Sequence, residues 1–233
     1  MEFKFSAKSN VIGGGIFSVL NDRKKELIER GREVYNFSIG TPDFKPAKDP
    51  ENYKYAIDDK PELIQAMKEY YKKRFGVALE DNEIMSVYGS QEGMTHLPWA
   101  FCDPGDLVLL PDPGYPTFRV GPHFADVRVW GYPIYEEKNY ILDFADIPEE
   151  IAQEAKMIIV SYPLNPVGAV ADDKFYEELI RFAKKYDIMV LHDNAYADIV
   201  YDGRKGESFL KYEGAKDVGV EFSLQFSIQQ WQH

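Results

Sequence analysis

The feature that most limits what this chain can fold into is a repeated cadence. Short apolar runs, Leu107-Val108-Leu109-Leu110, Met157-Ile158-Ile159-Val160 and Ile188-Met189-Val190-Leu191, each break into a polar or proline-rich cluster. Two further runs, Ile84-Met85-Ser86-Val87 and Val127 to Trp130, bring the expected strands to five. Helical stretches alternate with them, including an amphipathic one over about Asp172 to Lys185. Strands alternating with helices imply right-handed crossovers and a mostly parallel sheet. The expected fold class is therefore α/β, a mostly parallel sheet flanked by helices. Two helices should precede it. One spans Ile16 to Arg30 and stops at Gly31. The other spans Pro61 to Arg74, with proline in its first turn and Lys72-Lys73-Arg74 at its end.

At 233 residues the chain allows one large domain, or one domain and part of another. Its net charge of −12, with no basic run longer than Arg23-Lys24-Lys25, argues against nucleic acid and against an anionic membrane surface. A small anion can still bind, because a local pocket can oppose the global charge. The single cysteine, Cys102, cannot form an internal disulfide and fits a reducing compartment. The first twenty residues are mixed in charge and broken by Gly13-Gly14-Gly15, unlike a signal peptide or membrane span. The expected location is the cytoplasm. His96, His123, His192 and His233 have no metal-ligand spacing, and His192 reads as a satisfied core histidine.

In sheets of this class ligands sit beyond the carboxyl ends of the strands. Gly89-Ser90-Gln91-Glu92-Gly93 follows the first expected strand. Glycine, a hydroxyl and the free N–H groups of a helix start make a cup for phosphate, or simply a capped turn. Pro111-Asp112-Pro113-Gly114-Tyr115-Pro116 holds Tyr115 rigidly, as a stacking platform or as a packed structural residue. Asn165, set between Pro163 and Pro166, can donate its amide into a cleft or close an Asx turn. In His192-Asp193-Asn194-Ala195-Tyr196 a carboxylate ends a buried strand. That is costly unless a cation meets it, and a protonated ring nitrogen would serve; the plainer role is a cap on the next turn. Together the four clusters suit a planar, phosphorylated, pyridine-like cofactor.

These clusters, with Ile39-Gly40-Thr41-Pro42-Asp43-Phe44, Asp103-Pro104-Gly105-Asp106 and Asn165-Pro166-Val167-Gly168, resemble the class I/II aminotransferase family of pyridoxal-phosphate enzymes. The wording is nearest the diaminopimelate-aminotransferase-like branch. The resemblance spans residues 1 to 222 and implies the large domain of the aspartate-aminotransferase-type fold. It implies a cofactor, pyridoxal 5'-phosphate, with Ser90 and Gln91 on its phosphate and Tyr115 stacked on its ring. Asn165 and Tyr196 would bond the phenolic oxygen, and Asp193 would hold the pyridine nitrogen protonated. Gly40 would approach the substrate carboxylate. Tyr55 would reach the neighbouring subunit's phosphate, in a homodimer acting on an amino acid or 2-oxoacid. Residues 12–17 match an arm that covers the site.

Departures follow. Val167 stands where the family often has threonine. The family's Schiff-base lysine would fall at position 227, which is Ser227 here. The expected organisation is an N-terminal arm and helix over 1–40, a partial cofactor-binding domain over 41–222, and an aberrant tail over 223–233. That tail reads as a shifted frame or an early end, with no C-terminal small domain. No catalytic lysine is assigned; Lys205, Lys211 and Lys216 lie in a polar connecting segment. The expected function is amino-group transfer by ancestry, inactive in this form. A carbon–sulfur lyase of the same fold and a non-catalytic, dimerising relic are the alternatives. A nucleotide-binding domain is disfavoured, since no Gly-X-Gly-X-X-Gly follows the first strand.

Overall fold

The computed structural model describes residues 16–35, 59–201 and 203–223. Two compact units divide the chain, residues 1–48 and 49–233. In the first, α1 (Ile16–Glu29) is knit along its surface by Glu26, which pairs with both Arg23 and Arg30 one turn away.

The second unit holds a five-stranded sheet. In chain order its elements are α2 (Pro61–Phe75), α3 (Ser90–Phe101), β1 (Leu107–Asp112), α4 (Val120–Phe124), β2 (Arg128–Pro133), α5 (Glu149–Glu154), β3 (Ala155–Ser161), α6 (Asp173–Tyr186), β4 (Met189–Asn194), α7 (Ala215–Val218) and β5 (Gly219–Ser223). The strands run β2-β1-β3-β4-β5, and every pairing is parallel. The expected fold class holds.

Local chemistry explains the element ends. Pro61 opens α2, and Gly76, at φ 74°, closes it in the left-handed region that glycine tolerates. The Asp172 side chain accepts from the Phe175 N–H at 2.9 Å and caps α6. Lys184 and Lys185 sit in its last turn, where cations meet the helix dipole favourably. Along one flank α6 buries Phe175, Tyr176, Leu179, Ile180, Phe182 and Ala183. The middle of the sheet is dry: Val108, Leu109, Met157, Ile158, Ile159, Val190 and Leu191 are fully buried. A chain buried on both faces must satisfy its backbone within the ladder, which the parallel register does.

One expected strand does not form. Residues 84–87 carry no ladder, and Met85 is 76% exposed. The Ser86 N–H is taken instead by the Asp59 carboxylate at 3.0 Å, and the Ser86 hydroxyl bonds the same group. An acid has replaced a neighbouring strand as hydrogen-bond partner. The third expected strand lies slightly later than its apolar run, at Arg128–Pro133. β5 ends at Ser223; the rest of the 223–233 segment lies outside the described residues.

β5 is locked against α3 by one close approach. A Cβ on Gly93 would overlap the Phe222 ring, so the helix can sit this near the sheet only with glycine there. Gly93→Ala is expected to lose about 1–3 kcal/mol of stability in urea unfolding, an overpacking cost. Adding Phe222→Ala should return part of that loss, because the two residues share one contact; strict additivity would show that they do not.

Candidate functional site

The register brings the carboxyl ends of the strands to one edge. Asp193 stands opposite Ser161 on β3 and Phe222 on β5. Successive strand residues point to opposite faces. Asp193 therefore shares its face with Phe222, the face covered by α3, while His192 faces α6 through Tyr176. Loops 112–116, 161–168 and 194–197 leave this same edge.

Four of the expected site residues meet in two pairs that the sequence did not predict. The Gln91 side-chain amide donates to the Tyr115 hydroxyl at 2.7 Å, joining the start of α3 to the loop after β1. The Asn165 amide donates to the Tyr196 hydroxyl at 3.3 Å, joining the loops after β3 and β4. Tyr115 also packs edge-on against buried Phe118, which restrains the ring. The turn bearing Asn165 is held by Gly168 N–H to Leu164 O at 2.6 Å and Leu164 N–H to Ala169 O at 2.9 Å.

Ser90 is the first residue of α3, and Gly89 before it sits at φ 83°. No side chain caps this helix start, so its first N–H groups face outward with the dipole's positive end. Glu92 turns its carboxylate back onto the Tyr88 N–H at 2.6 Å. The helix start at Ser90 thus follows no strand, unlike the expectation.

Asp193 is the most informative residue. It is 7% exposed, and its Oδ1 has no hydrogen-bond partner among the described residues. Burial pushes its carboxyl up to about 6, while the neighbouring His192 pulls the other way. It caps no turn. A buried carboxylate with a vacant acceptor needs a donor, preferably a cationic one. A pyridinium N–H would supply both, so the unpartnered Asp193 carboxylate fits the ring nitrogen of pyridoxal phosphate.

A cavity of about 300 Å³ opens beside the Asn165–Tyr196 pair, walled also by Ile199, Tyr201 and Arg204. Ser90, Gln91, Tyr115 and Asp193 are not among its walls, so it covers one flank of the site. Gly40, Tyr55, the 12–17 arm and Ser227 lie outside the described residues. Of the lysines near β5, Lys211 pairs with Glu207 at 3.3 Å. Lys216 bonds the Ala78 carbonyl at 2.8 Å and Glu83 at 2.7 Å.

Sequence reasoning missed Glu221. Its side chain and that of His192 are fully buried and meet at 2.8 Å. The one signal was an acid at the centre of the otherwise apolar segment Gly219-Val220-Glu221-Phe222. Among the described residues no helix is long and apolar enough to cross a membrane.

Comparison with known proteins identifies the family and the fold. The profile of the family Aminotransferase class I and II matches residues 38–219. The LL-diaminopimelate aminotransferase of Aquifex aeolicus is 40% identical over 94% of this chain and 60% of its own length. That of Dehalococcoides mccartyi strain 195 is 39% identical over 93% and 60%. Among solved structures, substrate-bound BacF from Bacillus subtilis aligns with a TM-score of 0.85 at 32% identity, over 99% of this chain and 61% of the other. Alanine aminotransferase from Pyrococcus furiosus aligns at 0.78 and 29% identity, over 88% and 56%. The chain spans about 60% of the length of the curated relatives it matches.

Asp193 holds its proton more tightly folded than unfolded. Its contribution to stability is present below its ordinary value of 3.8 and is lost as the pH rises through about 6. Between pH 4 and pH 8 the cofactor-free chain is expected to lose ~3 kcal/mol relative to Asp193→Asn. Urea unfolding of both proteins at the two pH values measures this; parallel stabilities would show that Asp193 is not a buried charge.

Proposed function

Since the chain belongs to the class I and II aminotransferase family, we propose that it is the cofactor-binding part of an enzyme that moves an amino group between an amino acid and a 2-oxoacid. The observation that carries this reading is the buried Asp193 carboxylate, with an unpartnered oxygen, at the edge where the Asn165–Tyr196 and Gln91–Tyr115 pairs form. When bound, pyridoxal phosphate supplies a protonated pyridine ring that draws electrons from the carbon bearing the amino group. Asp193 keeps that proton on the ring nitrogen. Tyr115 would lie against the ring face, and the start of α3, with Ser90 and Gln91, would neutralise the phosphate. Asn165 and Tyr196 orient the ring through its phenolic oxygen. Substrate and subunit roles for Gly40 and Tyr55, which lie outside the described residues, rest on the family resemblance alone. The names of the relatives make LL-diaminopimelate the first amino donor to try.

Position 227, where the family resemblance places the Schiff-base lysine, is serine. Lys211 and Lys216 are engaged with Glu207 and Glu83. The reading is therefore that residues 41–222 hold the cofactor without a covalent link, that 223–233 is an aberrant tail, and that this form does not turn over. A general base and covalent anchor would both be missing. The lone Cys102 supports a cytoplasmic setting.

Tyr88 is 97% exposed, and Met85, Trp99 and Phe101 are exposed near it in sequence. Apolar surface of this kind favours association, and a homodimer burying it is part of the proposal. Sedimentation should find dimers at micromolar concentration; a stable monomer would sink that part. Titration with pyridoxal phosphate should show saturable binding, weakened at least tenfold in Asp193→Asn. Borohydride reduction followed by peptide mapping should give no stoichiometric lysine adduct. A single fully reduced lysine peptide would overturn the non-covalent part, and absence of saturable binding would overturn the cofactor reading.

A further inference from the structure

Glu221 sits inside the sheet on the face opposite Asp193, and its hydrogen bonds define its charge. Four groups converge on it. The Tyr71 hydroxyl on α2 and the Ser208 hydroxyl donate to Oε1, each at 2.8 Å. The Phe209 N–H at 2.7 Å and His192 Nδ1 at 2.8 Å meet Oε2. A carboxylate offers about four acceptor sites, and here four donors fill them. Three of these contacts, from the Tyr71 and Ser208 hydroxyls and the Phe209 N–H, donate to it, an arrangement that suits the ionised carboxylate. The phenols do not compete for the role of anion: burial, then the Glu221 charge, holds the Tyr71 and Tyr176 hydroxyls well above the usual phenol range. Glu221 is thus placed by its donors to act as an anion, with its side chain fully buried.

Such an anion needs a cation. Of the four groups bonded to it, only the His192 imidazole can carry positive charge. The other ring nitrogen, Nε2, lies 3.5 Å from the Tyr176 hydroxyl, which lies 3.5 Å from the Tyr162 carbonyl. Nε2–H can therefore point to Tyr176, and Tyr176 can point onward to a carbonyl. Both imidazole protons have somewhere to go. Around this cluster the further titratable groups are Tyr70 on α2, and Glu207 and Tyr212 beside Tyr176. Glu207 is already paired with Lys211, and Tyr212 donates to Asp173.

His192 and Asp193 are consecutive on β4 and point to opposite faces. We propose that Glu221 is a positioning residue for Asp193: its carboxylate keeps His192 doubly protonated on one face of β4, and that charge keeps Asp193 ionised on the other. The inference deepens the cofactor reading above, because an ionised Asp193 is the form that meets a pyridinium. In support, His192 is the group that opposes the effect of burial on Asp193.

The test uses the cofactor-free 233-residue chain, so it does not depend on whether pyridoxal phosphate binds. The Asp193 carboxyl is followed by carbon-13 NMR across pH, assigned through Asp193→Asn. Glu221→Gln should move its midpoint up by about one pH unit. Ser208→Ala, which removes one donor but no charge, should leave the midpoint in place. Nitrogen-15 spectra at pH 7 should show both His192 ring nitrogens protonated in the wild type. A neutral His192 in the wild type would overturn the proposal, as would a Glu221→Gln midpoint equal to that of Ser208→Ala. Should Glu221→Gln fail to fold, the wild-type His192 spectrum decides alone. Failure of pyridoxal phosphate to bind, with these titrations as expected, would reject the cofactor reading and leave the relay standing.

Discussion

Placing a carboxylate at the dry end of a central parallel strand is the constraint on which the rest of the structure turns. Asp193 lies between β3 and β5 in a sheet buried on both sides, where water cannot satisfy it. Taking up its own proton at mildly acid pH is one answer for the chain alone. A ligand cation is the answer that makes the position useful. The surroundings are consistent with the second. The loops after β1, β3 and β4 bring aromatic and amide groups to the same edge, and a helix start adds partial positive charge.

The opposite face of the sheet shows how such a position is supported. Glu221 ties together α2, β4, β5 and the segment at Ser208-Phe209. Breaking a buried, fully bonded ion pair leaves an uncompensated charge, so each partner makes the other hard to lose. The site and its support share strands but not faces. The strand alternation puts the candidate ligand position and its buried support on opposite faces within two consecutive residues, Asp193 and His192.

Much of this was legible in the chain. The apolar runs at Leu107, Met157 and Ile188 became β1, β3 and β4, and α2 and α6 ended within a residue or two of their caps. Strand-end clusters revealed Tyr115, Asn165, Asp193 and Tyr196, because the ligand edge of a parallel sheet follows from topology alone. Pairings across loops were not legible. Gln91 and Tyr115 meet 24 positions apart, and Asn165 and Tyr196 meet 31 apart. Ile84–Val87 failed because strand propensity says nothing about whether a neighbour is present. Glu221 was missed for a related reason: a lone acid in a short strand looks solvated until its three-dimensional donors are known.

The Glu221 knot also joins parts of the chain made at very different times. Tyr71 and Glu221 stand 150 residues apart, and Lys216 reaches Ala78 across 138. On a ribosome, α2 emerges long before its partner strand exists. The entropy of closing so long a loop grows only slowly with length, so the contact is affordable at equilibrium. The cost falls on the rate, because non-local pairing in parallel sheets delays folding. Until β5 has been synthesised, β4 presents an unpaired edge ending in Asp193, and the nascent domain must be shielded there.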